Sequence, residues 1–256
     1  MKKIIGIIPA RLESSRFPGK PLASILGIPM IGHVYHRCKM SNILDEVYVA
    51  TCNTEIYDYI ESLSGKAIMT SNTHERASDR AAEALNIIEE DIGQKIEIIV
   101  MLQGDEPMVK PSMIEDAVKP LIDDPTLPVT NLMSKIKTGQ EWNDPNEVKV
   151  VADCNNNALY FSREPIPSNK KYSEHITSFK QVCVIPFRRD WLIKYTKLPT
   201  TPLEIIESID MNRFLEHGLK VRLVEIDGET LAVDTPEDLK NVEIKMKDDV
   251  LLKRYL

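Results

Sequence analysis

Three short stretches carry the residue types that phosphate and metal chemistry requires. The first is Pro9-Ala10-Arg11-Leu12-Glu13-Ser14-Ser15-Arg16-Phe17-Pro18-Gly19-Lys20-Pro21, directly after a β-branched apolar run. Arg11, Arg16 and Lys20 fall within one short loop, interleaved with Ser14, Ser15 and Gly19. The backbone N–H groups of such a loop can cradle oxyanions while Arg and Lys neutralise their charge, which suits a polyphosphate. The GxxxxGK[ST] spacing of a Walker A loop is absent. A solvated basic loop is the plain alternative, but so many cations right after the first buried strand of an acidic chain speak against it. The second stretch, Gln103-Gly104-Asp105-Glu106-Pro107, follows the strongest strand signal. A carboxylate there is placed to bind a metal held by a nucleotide phosphate. Gly-Asp and Glu-Pro are also turn dipeptides, so this segment alone fits either role. The third, Ala232 to Leu239, reads as a helix start with Thr235 as cap. Asp234 lies just outside that helix, where a second metal ligand would sit. Magnesium takes one or two protein carboxylates and completes its shell with water and phosphate, so Asp105 and Asp234 would suffice.

The elements that must position these residues alternate. Strands are expected over Ile4–Ile8, Glu46–Thr51 and Ile96–Leu102, and helices over Met30–Lys39, Thr54–Leu63 (capped by Thr54), Ser78–Ile88 and Ser112–Lys119, the last stopped by Pro120. Farther on, Val129–Met133, Val148–Ala152, Asn157–Phe161, Gln181–Pro186 and Lys220–Ile226 read as strands, and Asn169–Thr177 as polar loop. Leu203–His217 reads as one long amphipathic helix ended by Gly218, and Thr235–Met246 as a terminal helix with Pro236 at its first position. Alternating units imply a mostly parallel sheet covered on both faces, with ligands beyond the carboxyl ends of its strands.

Composition sets the outer bounds. The 256 residues are 43% hydrophobic, which rules out wholesale disorder. Thirty-nine acidic against 32 basic residues give a net charge of −7, which argues against bulk nucleic-acid binding but leaves room for a locally basic site. No two of Cys38, Cys52, Cys154 and Cys183 form a CxxC, so reduced thiols are expected. No apolar run approaches the roughly 18 residues of a membrane span, and the apolar N-terminal run is too short for a secretory signal, so the expected location is the cytoplasm. His33 and His36, three apart on a helix, have no third ligand in view and read as helix-surface residues. His175 falls in the polar loop.

In combination, PARLESSRFPGKPL, MTSNTHERASDR, MLQGDEPMV, DPNEVKVV, NALYFSREPIP and AVDTPEDL resemble, in order and over nearly the whole chain, the 3-deoxy-manno-octulosonate (Kdo) cytidylyltransferases. That resemblance implies a single domain over residues 1–256 with an α/β nucleotidyltransferase fold, similar to the nucleotide-diphospho-sugar transferases. Its sheet would be Rossmann-type, mixed and mostly parallel. The nucleotide would bind mainly in 1–110, and the acceptor and dimer region would lie mainly in 127–217. It also implies CTP as substrate, Mg²⁺ as cofactor, an acidic small-molecule acceptor, a homodimer, no nucleic-acid or membrane partner, and a CMP-sugar product for lipopolysaccharide. By the same resemblance Arg11, Ser14, Arg16 and Lys20 hold the triphosphate, while His74, Ser78, Arg80 and Gln103 contact the rest of the nucleotide. Asp105 and Asp234 hold the metal, and Arg163 binds the acceptor.

The chain departs from the family pattern in places. A usual Ser-Gly is replaced by Arg76-Ala77. In the acceptor half, Gln181, Ile185 and Met211 stand where the family commonly has a histidine, a tyrosine and a glutamine, and Asp210 where it has a glutamate. The expected acceptor is Kdo or a related keto-sugar acid. Ile185 and Met211 would put an apolar wall beside it, which would fit an acid less hydroxylated than Kdo, or differently substituted, unless other residues have taken over the contacts. A nonulosonic acid or a phosphonate is the alternative acceptor; a non-catalytic nucleotide-binding protein is the alternative from another class.

Overall fold

The computed structural model of the chain describes residues 3–13, 17–170, 177–228 and 230–256. The chain divides into two compact units, one formed by residues 1–115 with 230–256 and the other by residues 116–229.

The first unit contains β1 (Ile4–Ala10), a small hairpin of β2 (Ser24–Ile25) and β3 (Ile28–Pro29), α1 (Met30–Lys39), β4 (Glu46–Thr51), α2 (Thr54–Ser62), β5 (Lys66–Met69), α3 (Ala77–Ile92) and β6 (Ile98–Leu102). The helix α4 (Pro111–Asp123) leads into the second unit. That unit holds β7 (Thr130–Lys135), α5 (Gly139–Asn143), β8 (Lys149–Ala152), β9 (Ala158–Ser162), β10 (Phe179–Val182), β11 (Val184–Arg188), α6 (Arg189–Tyr195), α7 (Pro202–Glu207), α8 (Met211–Glu216) and β12 (Arg222–Ile226). The terminal α9 (Pro236–Met246) returns to the first unit.

Within the first unit the strand order β6-β1-β4-β5 is parallel throughout. Ile5, Ile7 and Ile8 of β1 are fully buried, as are Ile98, Ile99 and Val100 of β6. Continuous apolar runs of this kind are what a sheet covered on both faces demands. The chain leaves β1 toward β4 on one side and later returns to β6 on the other, so the order reverses between β1 and β6. Open α/β sheets bind ligands at such a switch point. The β1–β6 ladder ends at Ile7 opposite Met101, whereas the β1–β4 ladder continues to Ala10 opposite Thr51. The first unit therefore has a crevice at the carboxyl ends of β1 and β6. The second unit is different in kind: β7-β10-β8-β9 is antiparallel, with β12 added parallel to β7. No described helix is long and apolar enough to cross a membrane.

Several sequence expectations need correction. Pro120 lies inside α4 rather than ending it; the helix continues to Asp123, Leu121 is fully buried, and Asp124 N donates to the Pro120 carbonyl (2.9 Å). Burial of Val118 and Leu121 offsets the lost Pro120 hydrogen bond. Asn53, not Thr54, caps α2, and its Oδ1 accepts from Leu12 N (3.0 Å). The Gln181–Pro186 strand is two strands broken at Cys183. The long Leu203–His217 helix is two short ones, with Ser208 between them in the left-handed conformation (φ 54°). Gly218 does sit at the left-handed exit (φ 71°).

His33 is not on a helix surface. It is fully buried, with Nε2 2.8 Å from the Ile25 carbonyl and Nδ1 2.9 Å from the Tyr255 hydroxyl. A carbonyl only accepts, so Nε2 carries the proton and the tyrosine donates to Nδ1. That hydroxyl also accepts from Arg37 Nε (3.1 Å), and Arg37 Nη2 donates to Asp249 Oδ2 (2.5 Å). His36 stacks on the Tyr255 ring. The C-terminus is thereby tied to α1. Burial lowers the His33 pKa from its ordinary value, with Arg37 acting in the same direction. Below about pH 6.5 the unfolded chain binds a proton that the folded chain resists. The stability contributed by neutral His33 is therefore present above that pH and declines as pH falls below it. An NMR titration of the His33 ring in the folded protein should give a midpoint below 6.5; a midpoint at or above that value would overturn the assignment.

Candidate active site

A pocket of about 330 Å³ occupies the β1–β6 crevice of the first unit. Pro9, Ala10 and Arg11 line it from the end of β1, and Gln103, Gly104 and Asp105 from the end of β6. Gly104 suits the close approach there: a Cβ would lie 3.1 Å from Ile31 Cδ1 and 3.6 Å from the Pro9 carbonyl. Lys20, His74, Glu75, Arg76 and Arg80 complete much of the lining. Among the described residues, Arg11, Lys20, Arg76 and Arg80 face Glu13, Glu75 and Asp105, so the pocket is locally cationic in a protein of net charge −7.

Lys20 meets both aspartates named from the sequence. It begins a one-turn 3-10 segment after Gly19, whose φ of 73° favours glycine and whose N–H donates to the Leu12 carbonyl (3.0 Å). The Lys20 ammonium donates to Asp105 Oδ2 (2.9 Å), to the Val233 carbonyl (2.8 Å) and, at longer range, to Asp234 Oδ1 (3.5 Å). Asp105 and Asp234, 129 positions apart in sequence, thus share one cation.

Local structure explains why they meet. Val233 N donates to the Asp105 carbonyl (2.9 Å), and Val233 is fully buried in an apolar cluster with Ile25, Met30, Val242, Met246 and Leu252. Asp234 is then held by the helix start. Thr235 and Asp238 form a reciprocal capping box, and Asp238 Oδ2 also accepts from Asp234 N (3.1 Å). Two carboxylates and a carbonyl converging on one cation form an all-oxygen donor set, which suits a hard divalent ion. Among the described residues no three His, Cys, Asp or Glu come together, so phosphate and water would complete the shell.

The other nucleotide residues named from sequence are distributed as follows. Arg11 and Gln103 line the pocket. His74 lines it while Nε2 contacts Glu83 Oε2 (2.5 Å). Arg80 is 3% exposed, and its guanidinium binds Thr70 Oγ1 (2.6 Å) and the Ser71 carbonyl (3.2 Å), so it shapes the loop that presents His74. Ser78 is fully buried in the first turn of α3 and is not part of the lining. Ser14, Arg16 and His175 lie outside the described residues. Glu75, Arg76 and Met30 line the pocket without having been singled out as contacts; for Arg76, the departure from the family's Ser-Gly was the available signal.

In the second unit, Arg163 donates through Nε to the Glu207 carbonyl (2.7 Å) and through Nη1 to the Pro145 carbonyl (2.8 Å). The Glu207 carboxylate also accepts from Arg163 N (2.8 Å), so an acidic group lies close to this arginine. Gln181 Nε2 donates to Asn131 Oδ1 (2.6 Å), and the Asp210 carbonyl accepts from Tyr195 OH (3.0 Å). Ile185 and Met211 do not form an acceptor wall. They are 3% and 0% exposed and belong to the buried core. Side chains with so little surface present no wall to a ligand, so the argument they supplied for a less hydroxylated acceptor falls away.

Comparison with known proteins agrees with this geometry. A family profile described as Cytidylyltransferase matches residues 5–224. The 3-deoxy-manno-octulosonate cytidylyltransferase of Geobacter metallireducens is 41% identical over 254 residues, covering 95% of this chain and 98% of that protein. Its namesake from Syntrophus aciditrophicus is 41% identical, covering 99% of each. A solved CMP:2-keto-3-deoxy-manno-octonic acid synthetase complexed with CTP superposes with a TM-score of 0.88 at 39% identity, covering 96% of this chain and 99% of that one. A putative glucose-1-phosphate thymidylyltransferase from Bacillus anthracis, at 17% identity and a TM-score of 0.66, shares the fold. With this coverage and identity, the chain is a nucleotidyltransferase that belongs to the 3-deoxy-manno-octulosonate cytidylyltransferase family.

Proposed function

We propose that the protein transfers CMP from CTP to 3-deoxy-manno-octulosonate and releases pyrophosphate. The observation that carries this reading is the Lys20 ammonium bridging Asp105 and Asp234 in a cation-lined crevice. The names of the relatives and of the CTP complex support the two substrates. The acceptor hydroxyl attacks the α-phosphorus in line, and pyrophosphate leaves. Such a transfer needs no side-chain nucleophile; it needs positioning and stabilisation of phosphoryl charge. Arg11, Lys20, Ser14 and Arg16 bind the triphosphate, and His74, Ser78, Arg80 and Gln103 form or support the base and ribose site. Arg163, Gln181 and Asp210 are assigned to the acceptor. The nucleotide is assigned mainly to residues 1–110, and acceptor and dimer contacts mainly to 127–217.

Cytidylyltransferases generally use a divalent metal. We assign magnesium, held by Asp105 and Asp234, where it would neutralise phosphate charge. A cytoplasmic homodimer acting on soluble substrates is part of the same reading.

The test is pyrophosphate release with CTP or UTP and a panel of acids comprising Kdo, a nonulosonic acid and a phosphonate. Release is expected with CTP and Kdo together and to depend on both. Turnover of another acid at higher kcat/KM than Kdo would overturn the acceptor assignment, and equal use of UTP would overturn the nucleotide assignment.

A further inference from the structure

We infer that Lys20 is a resident counter-ion that closes the Asp105–Asp234 pair to free metal, so that the divalent cation enters only together with a nucleoside triphosphate. This rests on the reading of those two aspartates as metal carboxylates. It adds a role for the lysine that phosphate binding alone does not require.

The Lys20 ammonium has three N–H donors, and three oxygens receive them: Asp105 Oδ2, the Val233 carbonyl and Asp234 Oδ1. These are the same oxygens that a hard cation would take from the protein. The three side chains are 14%, 22% and 19% exposed, so water screens the arrangement only in part. With the lysine in place, an oxygen of each carboxylate and the Val233 carbonyl are engaged by an ammonium. A dication arriving alone would have to displace that ammonium while repelling it. Without the lysine charge, the same oxygens would be open to a hard cation with no ammonium to displace.

The geometry also supplies a way to open the lock. The Lys20 backbone is fixed by the Gly19 turn, but its four-carbon stem is flexible, and the side chain lines the crevice with Arg11 as well as meeting the aspartates. A triphosphate in that crevice offers the ammonium new anionic partners. Its own oxygens meanwhile bring the metal to the carboxylates that the lysine leaves. Metal and nucleotide therefore strengthen each other's binding, and the coupling is reciprocal.

The experiment measures Mn²⁺ binding by electron paramagnetic resonance, with no acceptor present, for wild type, Lys20→Met and Lys20→Met/Asp105→Asn. Methionine keeps the apolar stem and removes the charge. Without nucleotide, Lys20→Met is expected to bind Mn²⁺ about tenfold more tightly than wild type, within the usual range of coupling between sites. Adding CTP should tighten Mn²⁺ binding more in wild type than in Lys20→Met. Equal Mn²⁺ affinity in the two proteins without CTP, or weaker binding by Lys20→Met, overturns the lock. If the double variant binds Mn²⁺ as Lys20→Met does, the metal reading of Asp105 itself is wrong. A mistaken acceptor assignment leaves all these measurements unchanged. Circular dichroism confirms that each variant is folded, and Lys20→Gln replaces Lys20→Met should the latter not fold.

Discussion

Asp105→Asn and Asp234→Asn should each slow pyrophosphate release at saturating CTP by about 100- to 1,000-fold, the scale of losing one preorganised charge-stabilising group. The substitutions are nearly isosteric and remove one negative charge each. The backbone contact that brings the two loops together, Val233 N to the Asp105 carbonyl, does not involve either side chain. Asp234 is oriented by the Thr235–Asp238 capping box, which also survives the change. The fold should therefore persist, and the far-ultraviolet circular dichroism should match wild type. Raising the metal concentration should recover part of the rate, because the remaining carboxylate and the Val233 carbonyl are still in place. Rates within about threefold of wild type in both variants, at ordinary metal concentration, would remove these residues from the reaction.

Arg213→Met is expected to cost about 3–5 kcal/mol of stability, the range for breaking a buried ion pair on one side. Glu204 is fully buried and Arg213 is 4% exposed. Two parallel contacts join them, Nε to Oε2 (2.7 Å) and Nη2 to Oε1 (2.6 Å). The guanidinium also lies 4.5 Å from the centre of the Tyr195 ring, which stacks on Phe214. Removing the arginine takes the bidentate cation from a fully buried carboxylate that also accepts from Thr201 N (3.4 Å). Replacing both partners, as in Arg213→Met/Glu204→Leu, leaves no unpaired charge and should recover most of the loss. Urea unfolding of the three proteins measures this. A single-variant loss below about 1 kcal/mol, or a double variant no more stable than the single one, would show that the pair is not what holds this region.

The same pair shows why part of the second unit was not legible from sequence. Leu203 to His217 has the apolar spacing of a single helix, and local periodicity can say no more. In one continuous helix Glu204 and Arg213 would stand about 13.5 Å apart along the axis and on opposite faces. They meet only because the chain turns at Ser208, a non-glycine residue in the left-handed region. A contact between two distant faces decides the break, and nothing within a local window announces it. His33 is a second instance. Its place on α1 follows from the helical pattern, but its burial depends on Tyr255, 222 residues away. Ile185 and Met211 are a third, since resemblance to the family pattern put them beside acceptor contacts whereas packing puts them in the core.

The residues that gather at the first unit's crevice were far more open to reading, for a physical reason. Oxyanion and metal sites in parallel sheets draw on short loops at strand ends, where composition and spacing are local properties. Arg11, Lys20, Gln103 and Asp105 each follow a strand whose apolar run can be seen without a structure, and the Thr235 cap with Pro236 marks the helix beside Asp234. Residue types and their order also identified the family. What the local pattern could not contain was the meeting of Lys20, Asp105 and Asp234 around one position, together with the Val233 carbonyl. That arrangement depends on a backbone bond between residues 105 and 233 and on an apolar cluster drawn from both ends of the chain. Hydrophobic burial is non-directional and long-range in sequence, so only the folded chain determines which loops it brings to the same carboxylates.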